Sequence, residues 1–160
     1  MSKGLYGRKD RIIKEKLHNV YRERDKSLPP SRCPKCGVLF IDGRWLWDDE
    51  PDISNEAVCP ACRRIKDRFP AGYVELKGKF FAEHRQEILN LVTNIETREK
   101  EERPLERIIA VEDGSDQAEV TTTGIHIARR IGEAVANAYS GNLTLQYADG
   151  EKQIRVYWQR

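Results

Sequence analysis

The stretch CPKCGVLFIDGRWLW (residues 33–47) opens with two cysteines two residues apart and runs on into apolar residues broken by Asp42-Gly43. A second pair, Cys59 and Cys62, is separated from Cys36 by 22 residues. Each C-x-x-C turn brings two thiolates to one ion, so Cys33, Cys36, Cys59 and Cys62 form a set suited to tetrahedral ligation. Between the pairs, residues 38–58 read as a hairpin of two strands followed by an acidic loop, the layout of a zinc ribbon. Four protein ligands leave no open position, so such a site is structural; activating a metal-bound water needs a vacancy. Zn2+ is the expected ion. Iron, as in rubredoxin, is the competing one, because both pairs carry a proline after the first cysteine; against it, Arg32, Lys35, Arg63 and Arg64 flank the thiolates where a redox centre wants a sheltered shell.

Working outward, the chain of 160 residues has 39% apolar and 34% charged residues, a globular balance in which no single core is large. No apolar run reaches the length of a membrane span, and the start MSKGLYGRKD carries no apolar signal region, so a cytoplasmic protein is expected. All four cysteines fall in the two pairs, which in a reducing compartment points to metal rather than disulfides. The net charge of +2 conceals an asymmetry: residues 1–32 hold ten Lys or Arg against four acids. A basic arm on a roughly neutral or acidic body is an electrostatic footprint of nucleic-acid binding, although a solvated solubility tail would look the same.

Three units are expected: a basic arm over 1–31, the ribbon over 32–70 and an α+β domain over 71–160. Residues 10–24 place Ile13, Leu17, Val20 and Tyr21 at helical spacing, a short helix that is marginal alone. The prolines of SLPPSR (27–32) then set an extended connector. A strand over about 73–81 puts Val74, Leu76, Gly78 and Phe80 on one face. Ile88, Leu91, Val92 and Ile95 predict a helix over 83–102 with a charged, projecting end, closed by Pro104. LERIIAVED and QAEVTTT flank the turn signal DGSD, and TTTG is expected to cap a second helix lined by Ile127, Ile131, Ala134 and Ala138. In the C-terminal hairpin, a two-residue Asp149-Gly150 loop predicts Ala148 opposite Glu151. The resulting order, β-α-β-β-α-β-β, is that of a ferredoxin-like α+β layer with one extra strand.

The cations and indoles around the ribbon are the candidate contacts for RNA. Arg44, Trp45, Trp47, Arg63, Arg64, Lys66 and Arg68 crowd one small unit, and Arg with Trp can bind phosphates and stack on unpaired bases. Arg8, Lys9, Arg11, Lys14, Lys16, Arg22 and Arg24 of the arm would follow a phosphate backbone. Trp45 and Trp47 equally suit a core filler for a ribbon too small to build one otherwise. The three histidines lie apart with no nucleophile or carboxylate arrangement, and G-x-x-x-x-G-K-[ST] is absent. No enzyme and no small-molecule substrate are expected.

CPKCG, GRW, CPAC and GYVELKG, followed by a helix and a small β-α-β unit, resemble the zinc-binding portion of the archaeal and eukaryotic large-subunit export adaptor called nonsense-mediated decay protein three. The whole chain resembles a group of short bacterial proteins built as a basic arm, a zinc ribbon and an α+β domain. The resemblance implies a metal role for Cys33, Cys36, Cys59 and Cys62 and a partner in the ribosome or ribosomal RNA, near the tRNA sites. The adaptor's further metal-binding element and export signals have no counterpart here. Assembly, rescue or silencing of idle ribosomes under stress are the roles left. The competing expectations are a four-cysteine redox or metal sensor and a protein-interaction adaptor.

Overall fold

A computed structural model of the chain describes residues 28–49, 52–150 and 152–160. The expected helix over 10–24 and the arm residues Arg8, Lys9, Arg11, Lys14, Lys16, Arg22 and Arg24 lie outside the described residues. The protein is α+β, with a three-stranded sheet in the ribbon and a five-stranded sheet beyond it.

The ribbon sheet has the order β1 (Ser31–Arg32), β2 (Leu39–Ile41), β3 (Arg44–Leu46), all antiparallel. The β2–β3 turn is Asp42-Gly43, both at positive φ (52° and 80°), a conformation Asp tolerates and Gly adopts freely. The connector read as merely extended is drawn into the sheet: Ser31 pairs with Phe40 and Arg32 with Leu39. Helix α1 (Pro60–Asp67) follows the second cysteine pair.

The larger sheet contains β4 (Gly72–Lys77), β5 (Ile108–Asp113), β6 (Gln117–Thr122), β7 (Asn142–Ala148) and β8 (Gln153–Gln159) in the order β5-β6-β4-β8-β7. Helices α2 (Lys79–Glu83), α3 (Arg85–Glu102) and α4 (Ile125–Tyr139) complete the expected β-α-β-β-α-β-β order, with α2 as an added short turn. The extra strand is not appended at the rim. Last in sequence, β8 lies inside the sheet, parallel to β4, and pushes β7 to the edge. The reason is burial: Ile154, Val156 and Trp158 of β8 are fully enclosed, whereas β7 offers only the half-buried Leu143 and Leu145. A position flanked on both sides goes to the strand that gains most by leaving water, at about 1.5–3 kcal/mol per large side chain.

Several local expectations are corrected. The first strand ends at Lys77, because Gly78 turns the chain at φ +116° and Phe80 and Phe81 donate their amides to the Arg160 carbonyl. Phe80 therefore packs against His84, Tyr139 and Trp158 instead of extending the strand. The hairpin register is shifted by two: Ala148 opposes Gln153, and Leu145 opposes Val156. Asp149 and Gly150 do take positive φ (53° and 65°), but the ladder closes two residues further out. A shift of two leaves every side chain on its own face, so Leu143, Leu145, Ile154 and Val156 still share the apolar side.

On α4 the buried face is Ile127, Ala128, Ile131, Gly132 and Val135, while Ala138 is exposed. Gly132 lets the helix sit directly on β8, since a Cβ there would overlap Val156. The threonines before α4 make no side-chain cap; Thr122 Oγ1 and Thr123 Oγ1 donate to the carbonyls of Gly124 and Leu105. On α3, Ile88, Val92 and Ile95 are buried in the same core as β4, β6 and β8. His126 and Arg130 of α4 both reach Glu99 of α3, at 2.9 and 3.3 Å, tying the two helices together. No helix among the described residues is long and apolar enough to cross a membrane.

Candidate metal centre

The two halves of the centre are built by different local devices. In the first, the Cys33 N–H donates to the Val38 carbonyl and the Gly37 N–H to the Cys33 carbonyl, both at 2.9 Å, folding the chain so that Cys33 and Cys36 turn to one side. In the second, Cys59 is the N-cap of α1, and its sulfur accepts the Cys62 N–H at 3.3 Å. Pro60 at the first helical position costs no hydrogen bond and presets the helix, so CPAC is at once a cap and a candidate ligand pair. The positive end of α1 points its amides toward the sulfurs, which favours thiolate. The long acidic loop is returned to the ribbon beside β1, where the Arg32 N–H donates to Asn55 O and the Ala57 N–H to Arg32 O. Cys59 N–H then reaches Cys33 Sγ at 3.4 Å and joins the halves.

All four Sγ atoms lie within 4.8 Å of one another. A tetrahedral ion with M–S bonds of about 2.3 Å requires S–S separations of about 3.8 Å, and Cys36 Sγ and Cys59 Sγ are 3.8 Å apart. The site can therefore hold a metal ion such as zinc with sulfur shifts of about an ångström at most. All four cysteines are free of disulfides; Cys33 and Cys59 are buried and Cys36 and Cys62 half-buried. As free thiols they are strongly differentiated. The hydrogen bond with Cys59, aided by the Val38 amide and the Arg107 guanidinium and opposed by burial, brings the Cys36 thiol down to about 4. Cys59, hydrogen-bonded to Cys36 and itself buried, is pushed up. Burial pushes Cys62 up to about 11. A bound divalent ion would take all four as thiolates.

The centre has a wall that sequence reasoning missed. Arg107, 5% exposed and in the segment between α3 and β5, donates from Nη2 to Cys36 Sγ at 3.0 Å and from Nη1 to Cys62 Sγ at 3.5 Å. Its Nε donates to Pro104 O and its backbone N–H to Thr123 Oγ1, each at 2.8 Å. Burial works against its charge, but the hydrogen bond to Cys36 and the nearby sulfur charges outweigh that and hold the guanidinium above its ordinary pKa. Leu105 adds to the apolar cluster of Cys33, Val38, Cys59 and Ala61. The only sequence signal was a cation inside an apolar run, LERIIAVED, which gives no hint of a partner 71 residues away.

The tryptophans divide. Trp45 packs on Phe40, ring centroids 5.0 Å apart, and against the cysteine cluster, so it fills the ribbon core. Trp47 keeps 37% exposure, yet its Nε1 donates to Lys100 O at 2.7 Å and its ring lies under Arg107 and Lys100, 5.6 and 6.0 Å from the centroid. The indole thus satisfies one of the last carbonyls of α3. The charged end of α3, expected to project, is instead docked on the ribbon, and an open cleft lined by Trp47, Glu96, Thr97, Lys100 and Glu101 runs along the joint.

Of the expected contact residues, Arg44, Lys66 and Arg68 are exposed, and Arg63 and Arg64 are half-buried on α1. Arg64 Nη1 donates to Phe69 O at 3.0 Å and its guanidinium lies 5.4 Å from the Phe69 ring, closing the helix end. Arg68 takes the left-handed position that terminates α1, at φ 51°. Searches of family models, curated proteins and solved structures return no match to this chain.

Proposed function

We propose that the chain is a non-enzymatic zinc protein of the cytoplasm that binds RNA, with the ribosome or ribosomal RNA as its partner, occupying tRNA sites to silence or protect idle ribosomes. The observation that carries this reading is a closed four-cysteine centre bordered by exposed cations: Lys35, Arg44, Lys66 and Arg68 are on the ribbon surface, and a further basic segment precedes it in sequence. Four sulfur donors with no place for water suit a structural ion, and zinc is the ion of such sites. A rigid ribbon presenting cations can follow phosphates at small entropic cost.

The test is co-sedimentation of the full chain with ribosomes across a salt series, together with metal analysis of the purified protein. Zinc near one equivalent is expected, with affinity falling steeply in salt. Replacing Lys66 and Arg68 by Gln should lower the log–log salt slope by about 1.4, at about 0.7 per phosphate contact on single strands. Absence of co-sedimentation at low salt would overturn the RNA reading. The 3.8 Å Cys36–Cys59 sulfur separation supports a second reading, a thiol sensor of oxidants or metals. Visible absorbance from iron, or a Cys36–Cys59 disulfide formed on mild oxidation with a change in partner binding, would favour it.

A further inference from the structure

We infer that Arg107 couples the metal centre to the α+β domain, so that metal binding holds the ribbon docked on that domain and metal loss releases it. The inference uses the metal part of the proposed function and is independent of the RNA part.

Every polar group of Arg107 is committed. Its backbone N–H and C=O are both held by Thr123, two residues before α4, and its Nε by Pro104. That leaves one forked end, and the fork reaches two sulfurs, one from each cysteine pair. A guanidinium buried to this degree is tolerable only beside negative charge. The sulfurs can supply it: four thiolates on a divalent ion would carry a net charge of −2, part of it on the two sulfurs Arg107 touches. Without the ion nothing fixes the four sulfurs at ligand spacing, and the separation of Cys36 and Cys62 that the Arg107 fork spans is lost. Hydrogen bonds from outside the ligand set are also what hold ligating sulfurs in place.

The coupling reaches the rest of the joint through contacts on the same segment. Pro104 is buried, Leu105 completes the apolar cluster behind the cysteines, and Trp47 lies between Arg107 and the last turn of α3. Release of Arg107 frees Trp47 and Leu105 together. The effect is reciprocal, because a docked segment that favours the ion by some factor is favoured by the ion by the same factor.

The test uses the full chain, zinc-loaded and with metal content measured first. Zinc transfer to a chromophoric chelator should be about 10–100-fold more favourable from Arg107→Leu than from wild type, with Arg107→Lys between them. A lysine keeps the charge but cannot fork to two sulfurs. In the wild type, chelating zinc should raise amide exchange at residues 105–108 and 123 and acrylamide quenching of Trp47, leaving β4 and β8 protected. Zinc retention within twofold in a folded Arg107→Leu protein, or unchanged exchange over 105–108 after chelation, would overturn the inference. If Arg107→Leu does not fold, the wild-type chelation experiment decides alone. A protein that takes up no metal would end both this inference and the metal part of the proposed function; one that takes up metal but gives unchanged readouts would end the inference only.

Discussion

Trp47 is the residue on which the ribbon's role turns, and replacing it by alanine separates a joint from a stacking surface. With 37% of Trp47 exposed, and indole side chains burying roughly 150–250 Å² in full, the area hidden at the joint is on the order of 130 Å². At about 25 cal/mol per Å² that is about 3 kcal/mol. The Nε1–Lys100 hydrogen bond adds about 1 kcal/mol. Because an unfolded chain already hides part of this surface, Trp47→Ala is expected to cost about 3 kcal/mol in all. Trp47→Phe keeps an aromatic ring but loses the donor and part of the ring area, so about 1–2 kcal/mol is expected. Urea unfolding of the metal-loaded protein followed by circular dichroism measures both, and amide exchange at the end of α3 locates the loss. If Trp47→Ala lies within about 0.5 kcal/mol of wild type while RNA affinity falls about tenfold or more, the joint assignment is wrong and Trp47 is a base-stacking platform.

Other outcomes follow from the same contacts. Gly132→Ala places a methyl group onto Val156, whose branched side chain cannot swing aside, so the urea midpoint should drop by the equivalent of about 1–3 kcal/mol. In the metal-free protein, Cys36 sits near 4 and is a thiolate across neutral pH. Its alkylation by iodoacetamide, read by peptide mapping, should stay nearly constant as pH falls from 8 to 6, whereas Cys62, near 11, should react faster only as pH rises. Cys59→Ser removes a ligand and exchanges the sulfur that caps α1 for a hydroxyl; ribbon amides should lose protection while those of β4 and β8 keep theirs, measured by hydrogen exchange.

The four cysteines were legible from spacing alone, since C-x-x-C twice has few uses in a chain without disulfides. So were the buried alternation of Val74 and Leu76 and the helical stripe Ile88–Val92–Ile95, because burial on one face imposes a period that local sequence records. The hairpin was half legible. Asp149-Gly150 marks a turn and its positive φ values confirm the chemistry, but loop length is set by how the strands fit the sheet, and the register closed two residues away. The threonines of TTTG were misread for a related reason: a hydroxyl before a helix suits a cap, yet Thr123 is taken by Arg107 and Leu105.

What the sequence by itself determined is whatever depends on near neighbours: the four-cysteine set that could hold an ion, the apolar faces and the order of elements. Only the tertiary structure decided which strand is central, that Trp47 closes the end of α3, and that Arg107 reaches the sulfurs. Those outcomes depend on competition among distant groups for burial and for counter-charge. A buried guanidinium goes wherever negative charge is waiting, and no local pattern records that this place is a cysteine centre 71 residues earlier in the chain.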